Sequence, residues 1–190
     1  MTKPNANTLD FLRERRSYPP ALMTAPGPSE DDLTDLLTMA ARVPDHGKLE
    51  PWRFIVLRGA ALERIAPKIA AASLAAGIPP EKAEKHGQAF GVPVVVAVVF
   101  APVDSDNIPE WEQFLSVGAV CLGLVNAALA SGFGACWLTG VGTNDEFAHA
   151  HLGLTGAERI AGFIHLGTRG AGAPPERPRP NIAAKTTVLE

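Results

Sequence analysis

Cysteine is scarce, and neither sign of charge is in large excess. Cys121 and Cys136 are the two cysteines in 190 residues. They show no CxxC spacing and sit among apolar neighbours, which argues against a disulfide framework or a thiolate metal site and leaves two reduced thiols that pack inside. The net charge of −3 gives no general attraction to nucleic acid or to an anionic membrane, so any basic patch has to be local. No GxGxxG is present, and Gly132-Phe133-Gly134 precedes an expected strand, whereas the dinucleotide-binding turn follows one. GxxxxGK[ST] and GxSxG are also missing, which removes the usual ATP-loop and acyl-transfer readings. Apolar runs such as Val92 to Phe100 are too short to cross a bilayer, and the N-terminus carries neither an apolar signal core nor a cleavage site. The expected location is the cytoplasm. No metal site is expected either: His149 and His151 are two apart on an expected helix, where a shared ligand face needs three or four. His86 lies in a run of charges and reads as solvated, and His165 lies in a strand and reads as a satisfied structural histidine.

What is present is one core's worth of apolar sequence. With 46% hydrophobic residues over this length, the chain suits a single domain, residues 1–190, in which about 170–190 form a C-terminal extension rich in Gly, Pro and Arg. Helices and strands alternate. Thr8 to Arg16 reads as a short helix ended by Tyr18-Pro19-Pro20. Ser29-Glu30-Asp31-Asp32 is a capping box for a helix with Leu33, Leu36, Leu37, Ala40 and Ala41 on one face, stopped by Pro44. Trp52 to Leu57 reads as a strand, Ala60 to Ala76 as a helix interrupted by Pro67, and Pro80 to Gln88 as a polar helix. Val94 to Phe100, Phe133 to Thr139 and Arg159 to Leu166 read as strands, the last two separated by a helix starting at Thr143-Asn144-Asp145-Glu146. Glu110 to Ala130 is the longest helix, apolar nearly all round and ended by Ser131-Gly132. A helix of that kind is either the middle of a large core or shared between two subunits, and the short chain favours a homodimer.

Two polar segments stand out. Arg15-Arg16-Ser17 closes the first helix, and Ala41-Arg42-Val43-Pro44-Asp45-His46 runs into Pro51-Trp52-Arg53-Phe54-Ile55-Val56. Arginine offers a planar fork of donors that matches phosphate oxygens, serine a short hydroxyl, and histidine a polar ring edge. Two readings of Arg15 and Arg16 stand side by side: cations answering the negative end of a helix dipole, or ligands for an anion. Trp137 likewise fits either core packing or the wall of a ring pocket. The tail ending Thr186-Thr187-Val188 has strand character and is either an arm or a frayed end.

These segments resemble the nitroreductase-like flavoprotein family. An N-terminal Arg-Arg-Ser and a Pro-Trp-x-Phe entering the first strand are features of that family. Pro109-Glu110-Trp111-Glu112-Gln113, Ser131 to Trp137 and Gly162-Phe163-Ile164-His165-Leu166-Gly167-Thr168 follow in the order of its compact YdjA-like branch. The resemblance implies an α+β, nitroreductase-like fold with a central mixed or antiparallel sheet flanked by helices, in a homodimer that exchanges C-terminal arms. It implies FMN as cofactor. Arg15, Arg16 and Ser17 would hold its phosphate and ribityl oxygens, Arg42 and His46 would reach the flavin from the partner subunit, and Trp137, Leu138 and Thr139 would line the ring. Some members carry arginine at the position of Leu138, where a leucine offers only backbone groups and apolar contact. The implied activity is that of an NAD(P)H oxidoreductase passing hydride from NADH or NADPH through FMN to a nitroaromatic, quinone or similar electron-poor acceptor. No side chain acts as acid, base or nucleophile, and FMN carries the chemistry. An FMN storage or sensor protein, or a flavin-free module binding another phosphorylated metabolite, would use the same arginines.

Overall fold

The structure, a computed structural model, describes residues 3–190. Its strands are β1 (Met23–Thr24), β2 (Trp52–Arg58), β3 (Val94–Phe100), β4 (Phe133–Leu138) and β5 (Arg159–Arg169). They form one sheet in which every pairing is antiparallel. β5 is the spine: β3 pairs along one side of it, β4 along the other, and β1 joins its C-terminal end at Arg169 and Thr168. The apolar, Val-rich run of β3 is buried along its whole length, as a strand covered on both faces must be.

Among the described residues, six α-helices accompany the sheet: α1 (Ala6–Glu14), α2 (Glu30–Ala40), α3 (Ala60–Ala75), α4 (Pro80–Gln88), α5 (Glu110–Ala130) and α6 (Asp145–Leu152). α5 covers the face that carries Trp137, where Gly118 lets the indole come close. α3 and α4 cover the other face, with Ile69 and Phe90 packed on Phe163 and His165. The expected capping box opens α2: the Ser29 hydroxyl accepts from the Asp32 amide at 3.1 Å, and the Ser29 amide donates back to the Asp32 carboxylate at 3.0 Å.

Several sequence expectations shift. α1 ends at Glu14, so Arg15 and Arg16 stand past its last turn, and the basic residue inside that turn is Arg13. α3 runs through Pro67 without interruption, because Leu62, Ile65 and Ile69 pack on both sides of the proline and hold the helix where one backbone bond is lost. The cap of α6 is Asn144, whose side chain accepts from the Phe147 amide; Thr143 belongs to a preceding 3-10 turn and donates to the Gly140 carbonyl at 2.7 Å. The tail has no strand. It runs extended from Gly170, makes one 3-10 turn at Ala183–Lys185, and leaves Thr186, Thr187 and Val188 exposed.

α5 is two-faced, not central. Val117, Val120, Cys121, Leu124 and Ala128 are buried against the sheet. Trp111 and Leu115 on the opposite side are 63% and 64% exposed, with Leu122 further along the same stripe. Its length and composition would also suit a membrane span, but half of its surface is committed to this core.

His165 departs from expectation. It is 1% exposed, and neither ring nitrogen has a hydrogen-bond partner. Burial pushes the imidazole down to about 4, against a weaker opposing pull from the Phe163 backbone. The unfolded chain, with a histidine near 6.5, therefore binds the proton more readily, so stability should fall as pH drops from about 6.5 toward 4 and gain nothing from this group above 6.5. Denaturant titrations at pH 7 and 4.5 should show a loss from this group of about 2 to 3 kcal/mol. His165→Phe should flatten the pH dependence by that amount, and an equal slope in both proteins would refute the assignment.

Candidate functional site

The site is built where the two ends of the chain meet β4. The Arg15 amide still donates to Phe11 in α1 at 2.8 Å, but its backbone turns extended, and the chain then runs beside the outer edge of β4. There the Tyr18 amide donates to the Ala135 carbonyl at 2.8 Å. The buried Tyr18 hydroxyl is shared between the carbonyls of Gly170, at 2.9 Å, and Gly172. One residue thus binds the N-terminal segment, the sheet edge and the start of the C-terminal tail.

The result is a cleft of about 510 Å³. Arg15, Arg16 and Ser17 line one side, Cys136, Trp137 and Leu138 the floor, and Arg177 and Arg179 the other side. Arg16 donates to the Pro175 carbonyl at 2.7 Å and pairs with Glu176 at 2.9 Å, and Arg179 donates to the Arg13 carbonyl at 2.7 Å. Among the described residues, Glu176 is the only carboxylate ion-paired with these four arginines. Positive charge is therefore in excess. Arg15 registers it: burial, then the Arg16 and Arg179 guanidinium groups, lower its pKa, and its Nε is buried without a hydrogen-bond partner. Crowded like charges and an unused donor are features that suit an anion. The half-buried position past the helix end also disfavours the dipole reading of Arg15 and Arg16, since that effect fades beyond the last turn.

β4 supplies the floor. Because Ala135 turns its carbonyl outward to Tyr18, strand alternation turns the backbone of Trp137 the same way, toward the cleft. Trp137 is 39% exposed, so it neither disappears into the core nor stands free. Its indole lies over Gly162 on β5, where a Cβ would come within 1.9 Å of Nε1. Leu138 is shared with a second cavity of about 230 Å³, and Thr139 and Gly140 line only that one. Gly140 has φ +147, a conformation L side chains rarely adopt, which lets the chain turn sharply from β4 into the next 3-10 turn.

Arg42 and His46 lie elsewhere. They sit exposed on the loop between α2 and β2 and line neither cavity of their own chain. α5 holds this loop: Ser116 donates to the Pro44 carbonyl at 2.6 Å, and His46 Nδ1 lies 2.8 Å from Glu112. The structure thus gathers Arg15, Arg16, Ser17, Trp137 and Leu138 into one cleft, sets Thr139 beside it, and leaves Arg42 and His46 on another surface. Sequence reasoning missed Tyr18, Gly162, Arg177 and Arg179. The signal for the arginines was there, in Arg177-Pro178-Arg179-Pro180, a basic run in a tail with no other pattern.

Fold and cleft define an α+β protein with an arginine-lined cleft at the edge of an antiparallel sheet. Residues 12–168 match the model of the Nitroreductase family, and the chain belongs to that family. It is 31% identical over 163 residues to a protein of Escherichia coli strain K12 named "Putative NAD(P)H nitroreductase YdjA", with 85% of this chain and 88% of the relative covered. Among solved structures, a nitroreductase-like family protein from Bacillus cereus superposes with a TM-score of 0.79 at 24% identity, covering 100% of this chain and 99% of that one. A Bacteroides fragilis nitroreductase with bound FMN superposes with a TM-score of 0.76 at 22% identity, covering 98% and 100%.

The seat of the indole is open to a direct test. Gly162→Ala should push the Trp137 ring off the sheet, changing its fluorescence relative to a Trp137→Phe reference and costing about 1 to 3 kcal/mol of stability. Unchanged emission and melting temperature would show that the ring does not rest on Gly162.

Proposed function

We propose that the protein is an FMN-dependent NAD(P)H oxidoreductase that reduces a nitroaromatic, quinone or similar electron-poor acceptor. The observation that carries this reading is the convergence of Arg15, Arg16, Arg177 and Arg179 around Ser17 with one paired carboxylate, beside a strand edge suited to a flat ring. The donor set fits a phosphate monoester: planar forks for the oxygens, a hydroxyl beside them, and a local charge excess that a dianion relieves. Trp137 and Leu138 would face the ring, with Thr139 and Gly140 at its far edge. When bound, FMN supplies the two-electron exchange between reduced nicotinamide and acceptor. The chain's own residues supply binding and orientation. The arginines fix the phosphate end, the outward backbone of β4 orients the ring edge, and Leu138 contributes apolar contact where a charged side chain is absent.

Arg42 and His46 are proposed to act across a homodimer interface. The exposed stripe Trp111, Leu115 and Leu122 on α5 supports this, because large apolar side chains spaced along one helix face favour burial against another copy. α5 also carries the Glu112 and Ser116 contacts that hold the loop of both residues. The tail from Gly170 to Arg179 is committed to its own chain. Only the exposed segment beyond it, with Ile182, Val188 and Leu189, is left to reach a partner. A cytoplasmic location is part of the same reading.

Purified protein should be yellow and release FMN on heating. Anaerobic NADPH or NADH should bleach it, and an acceptor should restore the colour; a colourless protein that takes up no FMN would reject the proposal, and a flavin that never bleaches would favour storage or sensing. Arg15→Ala should weaken FMN binding by roughly 2 kcal/mol or more and Ser17→Ala by about 1 kcal/mol. Unchanged flavin content in Arg15→Ala would reduce that residue to a structural role.

Leu115→Glu should convert a dimer into a monomer by light scattering at micromolar concentration and reduce flavin occupancy with it. A wild-type monomer with full flavin would remove Arg42 and His46 from the site.

A further inference from the structure

Glu176 stands in the tail between the two sets of arginines that line the cleft. Its Oε2 lies 2.9 Å from Arg16 on the N-terminal side, and its Oε1 lies 3.6 Å from Arg179 on the tail side. Among the described residues it is the one carboxylate paired with the cleft arginines. A carboxylate that bridges both walls draws on the same guanidinium groups that a phosphate would need.

The pairing is imperfect. Arg16 Nη1 is buried and within ion-pair distance of Glu176, yet it has no hydrogen-bond partner. A guanidinium gains most from an oxygen that lies along its N–H bond, so this pair leaves part of that gain unrealised. The two partners also differ in freedom. The Arg16 side chain is 19% exposed and is held separately by the Pro175 carbonyl at 2.7 Å, whereas the Glu176 side chain is 68% exposed. Pro174, Pro175, Pro178 and Pro180 stiffen the backbone around Glu176. Tyr18 ties one end of this segment at Gly170, and Arg179 ties the other to the Arg13 carbonyl. The carboxylate can thus turn out to water by side-chain rotation while the arginines keep their places.

We infer that Glu176 is a built-in competitor for the phosphate, an affinity-setting residue that occupies Arg16 and Arg179 until a phosphate monoester displaces it. The inference rests on the phosphate reading of the cleft under the proposed function. A phosphate monoester carries about −1.5 to −2 at neutral pH and three acceptor oxygens, against one charge and two oxygens for the carboxylate. It therefore takes the guanidinium groups, and repulsion between the two anions sends Glu176 into solvent. A ligand of the same shape without the phosphate makes no claim on Arg16 and leaves the pair intact.

The test measures the affinity of the full-length protein, as purified and with its flavin content recorded, for FMN, riboflavin and inorganic phosphate. Glu176→Gln should tighten FMN and inorganic phosphate about two- to fivefold, the worth of an ion pair this exposed. Riboflavin, which lacks the phosphate, should bind unchanged. In an Arg16→Ala background the gain from Glu176→Gln should vanish, since the carboxylate then has no Arg16 to withhold. Glu14→Gln, which removes a carboxylate from the cavity on the other side of Arg15 and Arg16, should give no such gain. Weaker FMN and phosphate binding in Glu176→Gln would make the residue a strut for the tail and overturn the inference. A gain that extends to riboflavin, persists without Arg16, or is matched by Glu14→Gln would overturn it too, by showing a general charge effect. Tighter inorganic phosphate in a protein that takes up no FMN would keep this role for Glu176 while losing the proposed reaction, and binding of neither probe would overturn both.

Discussion

The hydrogen bonds of Tyr18 are the constraint on which the arrangement of the site depends. Its amide closes on Ala135 at the outer edge of β4, and its hydroxyl closes on the tail at Gly170 and Gly172. The hydroxyl contacts join residues 152 and 154 positions apart in the chain. Without them α1 would be a short helix with no buried residue of its own, and a helix of nine residues has little intrinsic stability in water. Arg15 to Ser17 owe their position to a tertiary bond, not to the helix that precedes them.

The same closure concentrates charge. Bringing Arg177 and Arg179 back beside Arg15 and Arg16 is electrostatically unfavourable; the Arg15 pKa is lowered first by burial and then by the Arg16 and Arg179 guanidinium groups. Backbone carbonyls from both ends of the chain offset part of that repulsion: Pro175 in the tail takes a bond from Arg16, and Arg13 in α1 takes one from Arg179. Carbonyls orient the guanidinium planes without neutralising them, so the planes stay aimed and the charge stays available.

What could be read from sequence was what local chemistry decides. The α2 cap needs only Ser29 and Asp32, β3 only an unbroken apolar run, and α5 only its length and composition; each emerged as expected. β1, two residues long, exists because β5 extends past β3 and offers Thr168 and Arg169 as partners, which no local pattern announces. Pro67 misled for the same reason in reverse, since packing outweighed its lost bond. In the site, the phosphate-type residues were legible by resemblance to a family, whereas Arg177 and Arg179 required knowing that the tail folds back. His165 was read as satisfied because buried histidines usually are. Its missing partner is a fact of three dimensions.

α5 links the parts that remain. Gly123 allows it to approach α2 so closely that a Cβ would lie 3.0 Å from the Ala40 carbonyl. One turn of sequence beyond α2, the loop with Arg42 and His46 is tied back to the first turns of α5 through Pro44 and Glu112. The loop's position is thus set by the same helix whose outer stripe is exposed. If that stripe is covered by a second copy, any shift of α5 at the interface carries Arg42 and His46 with it, because their anchors are side chains of the helix itself. Burial of the stripe and placement of these two residues are then one mechanical event, and a substitution at the interface acts on the cofactor site without touching it.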